Sequence, residues 1–211
     1  MSQKGGYHHG DLRRALLDTV LAMVVERGDA GDVTLREVAR RAGVSHNAPY
    51  RHFDGKETLL AAVATEGFAQ LSCALRAARS GVDDAEERFV RTGVAYLRFA
   101  LDHWGHVAVM HGPGITKSQT RELQQAANDT FQVLKELAED AGVVEVADAR
   151  RCGVVVWSFV HGLAVLTTHR QVPPSVGGSP ESTAELGLRS LYRSFSAGTA
   201  KPAKRGRAPR A

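Results

Sequence analysis

Apolar residues recur at steps of three and four along nearly the whole chain, which is the period of an α-helix rather than of a strand. This pattern predicts a first helix over 11–27, ended by Gly28. Two short helices are predicted next, over 34–42 and 45–53, with Gly43 between them. The chain therefore begins with three helices in about fifty residues.

Longer segments with the same period fill the rest of the chain. Helices are predicted over 56–79, 83–103, 117–141, 147–169 and 181–197. The expected fold class is all-α, with about nine helices divided between an N-terminal three-helix bundle and a larger helical domain.

Local signals indicate where the short helices begin. Thr34 is expected to cap the first, and Glu37, three residues later, completes the sequence of a capping box. Ser45 is expected to cap the second. Pro49 then falls close to the first turn of that helix, where a proline costs less than the ~3 kcal/mol of a helix interior.

The segment 34–53, TLREVARRAGVSHNAPYRHF, has the organisation of a helix-turn-helix. A seam of small and apolar side chains would hold its two helices at a steep angle: Val38, Ala39, Val44, Ala48 and Phe53. That geometry leaves the N-terminal half of the second helix free to enter a major groove of DNA. A plain helical hairpin with a basic face is the alternative.

Polar side chains lie where such a motif would contact DNA. Ser45, His46 and Asn47 open the second helix, and an asparagine can pair in a bidentate way with adenine. Contacts to the sugar-phosphate backbone are expected from Thr34, Arg36, Tyr50, His52 and Lys56. The free backbone N–H groups at the start of the helix that begins at Lys56 would also be well placed to bind an anion.

Charge is unevenly distributed. The chain carries a net charge of +4, and residues 201–211 hold five Lys or Arg residues and no acidic one. The central part is close to neutral, so positive charge gathers near the N-terminus and in the tail. This indicates a polyanionic partner that is contacted locally, as nucleic acid would be. The tail is expected to be disordered, with non-specific attraction to DNA as the alternative.

Over 10–68 the chain resembles the DNA-binding domain of the tetracycline-repressor (TetR) family. The matching features are the ERG that ends the first helix, Thr34 before the second, AGVS at the turn, and YRHF followed by GKETLL. The segment from Tyr7 to Arg13 also resembles the corresponding part of many members. The resemblance implies a homodimer that binds a near-palindromic operator on double-stranded DNA. It also implies a divergent C-terminal domain that binds a small effector and thereby weakens DNA binding.

This reading divides the chain into four parts. They are a flexible arm over 1–9, the helix-turn-helix domain over 10–70, an effector-binding and dimerisation domain over 71–197, and a disordered basic tail over 198–211. The last two predicted helices are expected to pair across the dimer axis, as in relatives. Leu188, Leu191 and Phe195 lie on one side of the final helix and need cover, which places them in that interface.

The C-terminal part carries fewer specific signals. Trp157, His161 and Gly162 in WSFVHG resemble a TetR C-terminal domain type named after Trp-His-Gly, over about 84–195. The spacing of Trp157 and His161 places both side chains on one helix face. There they belong either to the core or to the wall of a pocket.

A mainly apolar pocket is expected between the helices over 83–103, 117–141 and 147–169, for a small apolar or amphipathic effector. Its candidate wall residues are Tyr96, Phe99, Trp104, Met110, Phe131, Trp157 and His161. An excess of aromatic residues with a few polar ones is typical of a small-molecule site, and equally of a core.

Other function classes lack their motifs. An enzyme would need a pattern such as GxSxG, HExxH or a P-loop, and the sequence has none, so neither catalytic residues nor a cofactor are expected. His103 and His106 have metal-ligand spacing but no ligand set beyond Asp102, so no metal is expected. An architectural DNA-binding protein would not need so large a body. The sequence fits an activator as well as a repressor.

The chain is expected in the cytoplasm. Its polar start lacks the apolar run of a signal peptide, and no stretch reaches the ~18 uncharged apolar residues of a membrane span. Cys73 and Cys152 lie in apolar segments and are expected to be buried thiols, with a redox switch between them as the alternative.

Overall fold

Eight α-helices make up most of residues 9–112, 115, 120–143 and 145–199, which the computed structural model describes. They are α1 (His9–Arg27), α2 (Leu35–Arg41), α3 (Lys56–Arg79), α4 (Ala85–Asp102), α5 (Trp104–His111), α6 (Arg121–Asp140), α7 (Val146–Thr168) and α8 (Pro180–Thr199). Within these ranges there is no β-strand, so the predicted all-α class is confirmed. The predicted arm up to residue 8 and the predicted tail from residue 200 lie outside the described residues.

Threonine and aspartate caps begin several helices. The Asp84 carboxylate accepts a hydrogen bond of 2.7 Å from the backbone of Glu87 at the start of α4. Thr34 accepts one of 3.2 Å from the backbone of Glu37 at the start of α2, as predicted. The expected return bond of the capping box is replaced, because the Glu37 carboxylate pairs with Arg27 on α1. A charge-assisted bond to a guanidinium is stronger than one to a backbone amide.

The N-terminal unit consists of α1, α2 and the start of α3. Val38 and Ala39 of the predicted seam are fully buried, Phe53 is nearly so, and Val44 is half-buried against them. Ala48 is half-buried. The seam joins α2 to the segment 45–53, as the sequence predicts.

The segment 45–53 itself is not the α-helix that the sequence predicts. Only Pro49–Arg51 is helical, and it is a 3-10 helix. Successive N–H groups bond three residues back, from Ala48 to the Ser45 carbonyl at 2.9 Å and from His52 to the Pro49 carbonyl at 2.9 Å. Pro49 has no N–H with which to continue an α-helical ladder, so the tighter 3-10 pattern takes its place. Ser45 therefore does not cap an α-helix.

The body contains α4 to α8, and α3 runs into it from the N-terminal unit. α3 packs against α4, α5 and α6, while α8 packs against α4 and α7. The expected domain boundary at residue 70 falls inside α3, which is continuous from Lys56 to Arg79. Glycine lets two helices approach closely at Gly93 of α4, where a Cβ would lie 2.6 Å from the side chain of Leu188.

A carboxylate fixes the C-terminal end of α3. Asp140 at the end of α6 accepts a hydrogen bond of 2.8 Å from Arg79 of α3 and one of 2.9 Å from Arg88 of α4. The Asp140 side chain is 7% exposed, so the pairs are largely shielded from water. This Asp140 clamp holds the ends of three helices together.

Leu188 was expected in a dimer interface, and that expectation is wrong. Its side chain is fully buried in its own chain against Gly93, and Leu191 and Phe195 are half-buried in the same core. The apolar side chain that α8 exposes is Leu186, 72% accessible. α7 likewise exposes Val154, Val155 and Leu166.

Two helical segments, Lys56–Arg79 and Ala147–Thr168, are long and apolar enough to cross a membrane, by length and composition only. In the first, 56% of the apolar window is buried in the protein, as in a core helix. In the second segment, 33% of the apolar window is buried, which agrees with the apolar side chains that α7 exposes.

The two cysteines differ in environment. Cys152 is buried as predicted, and burial raises the pKa of its thiol to about 11. Cys73 is exposed on α3, against expectation, because it lies on the side of that helix opposite to its core contacts. Both thiols are free.

Candidate nucleic-acid interface and effector cavity

Most of the predicted DNA contacts are exposed side chains around the segment 45–53. Ser45, His46 and Asn47 are exposed, and Tyr50 on the 3-10 helix is 56% accessible. Thr34 and Arg36 are exposed at the start of α2. A polar surface with few internal partners can form hydrogen bonds to base edges and phosphates.

Two of the predicted contacts are placed differently. The Lys56 ammonium, half-buried, donates a hydrogen bond to the Gly31 carbonyl and so ties the loop before α2 to the start of α3. His52 is half-buried, and its Nε2 atom is enclosed without a hydrogen-bond partner in the described part of the chain. Both side chains therefore pack partly within the N-terminal unit and are only partly exposed to solvent.

Ion pairs join α1 to α2. Arg41 donates to Glu26 at 2.5 Å, and Glu37 pairs with Arg27. The hydrogen bond from Arg27 holds the pKa of the Glu37 carboxyl below its usual range. Arg13 on α1, which the sequence did not single out as a contact, places its guanidinium 5.6 Å from the ring centre of Phe53.

A small cavity lies in the body between α3, α4, α6 and α7. Its volume is about 40 Å³. The lining consists of Phe68, Leu71, Leu75, Thr92, Gly93, Tyr96, His111, Thr130, Phe131, Leu134, Leu137, Val156, Trp157 and Val160. It is therefore an almost wholly apolar space with an aromatic wall.

A hydrogen-bonded relay runs through that wall. Trp157 Nε1 donates to the Tyr96 hydroxyl oxygen at 3.0 Å, and this hydroxyl lies 2.9 Å from Nδ1 of His161. The indole N–H can only donate, so the Tyr96 hydroxyl oxygen accepts from Trp157 and its own proton can form the hydrogen bond to His161. This assignment puts the His161 proton on Nε2. Burial raises the pKa of Tyr96 to about 12 and lowers that of His161, so both groups are neutral near pH 7.

The structure brings four of the seven predicted pocket residues together. Tyr96, Phe131 and Trp157 line the cavity, and His161 is bonded to Tyr96 beside it. The other three lie elsewhere: Phe99 stacks near His103, Trp104 contacts His169, and Met110 packs on Gly67. These three side chains pack between helices and do not line the cavity. Helical periodicity identifies the apolar face of a helix, but it does not show whether that face adjoins a cavity.

Sequence reasoning missed the contribution of α3. Phe68, Leu71 and Leu75 line the cavity from a helix that was assigned mainly to the N-terminal domain. Their spacing of three and four residues was the available signal, since it continues the apolar face beyond residue 70. His111, which is not among the seven candidate wall residues, also lines the cavity, and its ring centre lies 5.1 Å from that of Trp157.

Charged and titratable groups meet where α1, α3 and α5 come together. Arg14 of α1 pairs with Glu66 of α3, and His106 Nε2 of α5 lies 3.5 Å from the same carboxylate. Burial lowers the pKa of His106 despite that neighbour. No group of three His, Cys, Asp or Glu side chains within the described ranges is placed to hold a metal ion.

Two family descriptions match the chain. Residues 17–63 match "Bacterial regulatory proteins, tetR family", and residues 89–191 match "Tetracyclin repressor-like, C-terminal domain". The HTH-type transcriptional regulator SrpR of Pseudomonas putida is 38% identical over 63 residues, which cover 30% of this chain and 29% of SrpR. The match spans less than half the length of each curated relative.

Solved structures match over most of the chain. A protein with unknown function from Rhodococcus sp. RHA1 is 30% identical, with a TM-score of 0.73 over 92% of this chain and 100% of that one. A regulatory protein in the tetR family from Rhodococcus RHA1 is 22% identical, with a TM-score of 0.68 over 86% and 95%. The second likeness shows the shared fold.

Proposed function

Because the chain belongs to the TetR family of bacterial regulatory proteins, we propose that it is a transcriptional repressor that a small-molecule effector releases from its operator. Family membership makes it a transcription regulator rather than an enzyme. The observation that carries the proposal is the course of α3. This one helix begins beside the segment 45–53 and lines the effector cavity with Phe68, Leu71 and Leu75.

The DNA partner is a near-palindromic operator bound by a homodimer. One chain offers a single short segment for base contacts, which covers too few bases to specify a site. A two-fold dimer would present two such segments to half-sites about 34–36 Å apart. The exposed apolar side chains of α7 and α8 support pairing through these helices: Val154, Val155, Leu166 and Leu186.

Effector release works through a shift between conformations. The dimer would exchange between a conformation whose two DNA-contacting segments fit the operator and one in which their spacing does not fit. A molecule whose affinity for the cavity is higher in the second conformation would lower operator affinity, and only by the ratio of its two affinities. A preference of ~100-fold supplies roughly 2.7 kcal/mol per site. The cytoplasm is the location proposed for this activity.

Selection of bound sequences from random DNA tests the DNA-binding part. The expected product is a two-fold repeated site, bound at least ~1,000-fold more tightly than random DNA at physiological salt. Little difference between selected and random DNA would favour an architectural role. A reporter placed behind the selected site tests the sign of regulation: loss of the regulator should raise expression, and a fall would identify an activator.

A further inference from the structure

We propose that the cavity between α3, α4, α6 and α7 selects a small uncharged molecule with an apolar or aromatic body, and rejects carboxylates and amines. The inference rests on the effector role proposed above and names the chemical class of that effector. Its basis is the complete lining of the cavity.

The lining contains no permanently charged side chain. Of its fourteen residues, none is Asp, Glu, Lys or Arg. An isolated ion that moves from water into such a space loses its hydration without gaining a partner, which costs far more than the burial of a neutral group. Any charged ligand is therefore disfavoured relative to a neutral one of the same shape.

Three polar groups of the wall already have hydrogen-bond partners. Thr92 donates a hydrogen bond of 2.7 Å to the Arg88 carbonyl, and Thr130 lies 3.1 Å from the Phe68 carbonyl. The Trp157 N–H is committed to Tyr96. A carboxylate or an ammonium would have to break these bonds to gain its own.

The relay ends in an uncharged donor. Tyr96 donates to Nδ1 of His161, which leaves the N–H at Nε2 of that ring without an acceptor among the described residues. The depressed pKa of His161 keeps the ring neutral. His161 lies behind the wall, bonded to Tyr96, and does not itself line the cavity, so it adds no charge to the site.

Two side chains separate the cavity from a larger groove. Phe131 and Leu134 line both the cavity and a groove of about 620 Å³ between α6 and α7. The cavity of about 40 Å³ holds little more than water, so a ring-sized ligand has to displace these side chains.

Fluorescence of Trp157 tests the selectivity directly. The chain has two tryptophans, so Trp104→Phe leaves Trp157 as the single reporter. The probes are methyl benzoate and benzoate, which share a ring and differ in charge at pH 7. We expect saturable quenching by methyl benzoate and about 100-fold weaker binding of benzoate. Equal or tighter binding of benzoate, or no saturable signal from either probe, would overturn the proposal.

A charge placed in the wall should narrow the preference for the neutral probe. Leu134→Lys introduces an ammonium that can also reach the groove, so the variant is expected to fold. Benzoate should then bind about 10-fold more tightly than in the parent. Gln132→Lys is the matched control, because that position faces the groove and not the cavity. An equal gain in both variants would place the probe in the groove and contradict the assignment.

Failure of this inference and failure of the proposed function give different results. The titrations contain no DNA, and operator release is measured separately by fluorescence anisotropy. Binding of methyl benzoate without any release contradicts the effector role and leaves the neutral selectivity standing. Release by both probes with equal potency contradicts the selectivity and leaves the effector role standing.

Discussion

Arg14 on α1 donates two hydrogen bonds, of 2.7 and 2.8 Å, to the two carboxylate oxygens of Glu66 on α3. Both bonds come from the Nη1 atom of Arg14, while Nε of the same guanidinium donates to Asp18 on α1, so each bond to Glu66 is charge-assisted. The pair joins the first helix of the N-terminal unit to α3, the helix that lines the cavity in the body.

A double-mutant cycle with Arg14→Ala and Glu66→Ala should give a coupling of about 1 kcal/mol in the free energy of unfolding, measured in urea. The partial exposure of Arg14 keeps the value modest. The same cycle on Arg151 and Asp148, an exposed pair at 3.0 Å, is the control and should give less than about 0.5 kcal/mol. Equal coupling in the two cycles would show that the bond between α1 and α3 contributes no more than an exposed surface pair.

The Asp140 clamp should be worth more than any surface pair. Asp140→Ala leaves Arg79 and Arg88 without their shared carboxylate, and we expect unfolding to become easier by about 2–4 kcal/mol. Asp148→Ala removes an exposed carboxylate and should cost less than about 0.5 kcal/mol. Denaturant titration of both variants gives the comparison, and similar costs would contradict the role of the clamp.

Substitutions at Leu186 and Leu188 should distinguish an effect on dimerisation from an effect on folding. Leu186→Glu puts a charge on an exposed position of α8 and should yield folded monomers at concentrations where the parent is dimeric. Leu188→Glu buries that charge in the chain's own core and should prevent folding. Sedimentation and circular dichroism distinguish the two outcomes. A dimeric Leu186→Glu variant would move the interface away from this part of α8.

Base contacts and phosphate contacts should respond differently to substitution. Asn47→Ala should relax preference at one operator position, at a cost of about 1–3 kcal/mol. Arg36→Ala should weaken binding to all sequences about equally and reduce the salt slope by about 1. Lys56 is unsuitable for this comparison because its ammonium also holds Gly31. If Asn47→Ala weakened binding to all sequences equally and Arg36→Ala relaxed preference at one position, the two assigned roles would have to be exchanged.

Stability should fall in alkali as Tyr96 ionises. Burial raises the pKa of Tyr96 from 10.0 to about 12, so the folded state keeps a proton that the unfolded state has lost. The stabilisation is present below pH 10 and is lost as the pH rises toward 12, on the order of 2 kcal/mol. Tyr96→Phe should remove this part of the slope when melting is followed from pH 9 to 12. The pKa of the Cys152 thiol is raised from 9.0 to about 11, so a loss of similar size remains in both proteins as the pH rises from 9 toward 11. Parallel curves for the parent and the variant would show that Tyr96 does not titrate as expected.

Helix positions were predictable because their signals are local. Asp84 and Gly28 act on the next or preceding turn, so α1 and α4 begin and end within two residues of the predicted bounds. The predicted exposure of Asn47 also follows from its neighbours along the chain. The segment 45–53 was misjudged because two local rules compete there: a cap at Ser45 favours an α-helix, and Pro49 removes one of its hydrogen bonds.

Contacts between distant residues were not predictable in the same way. The period of α8 shows that Leu188 must be covered, but it does not say whether Gly93 of the same chain or a second chain covers it. The same limit applies to the cavity. Phe99 and Tyr96 lie on one apolar helix, and only the three-dimensional packing decides that Tyr96 adjoins the void and Phe99 does not.

Under the function proposed above, the length of α3 amplifies a small displacement at the cavity into a larger one at the DNA-contacting segment. Its 24 residues span about 36 Å as a straight helix. With the Arg79 end held by the Asp140 clamp, that end is the fulcrum of a rigid rod, and Phe68 lies near its middle. A tilt of ~5° would move Phe68 by little more than 1 Å and the Lys56 end by about 3 Å. Displacement therefore grows roughly twofold between the point where a ligand pushes and the point where the operator is bound.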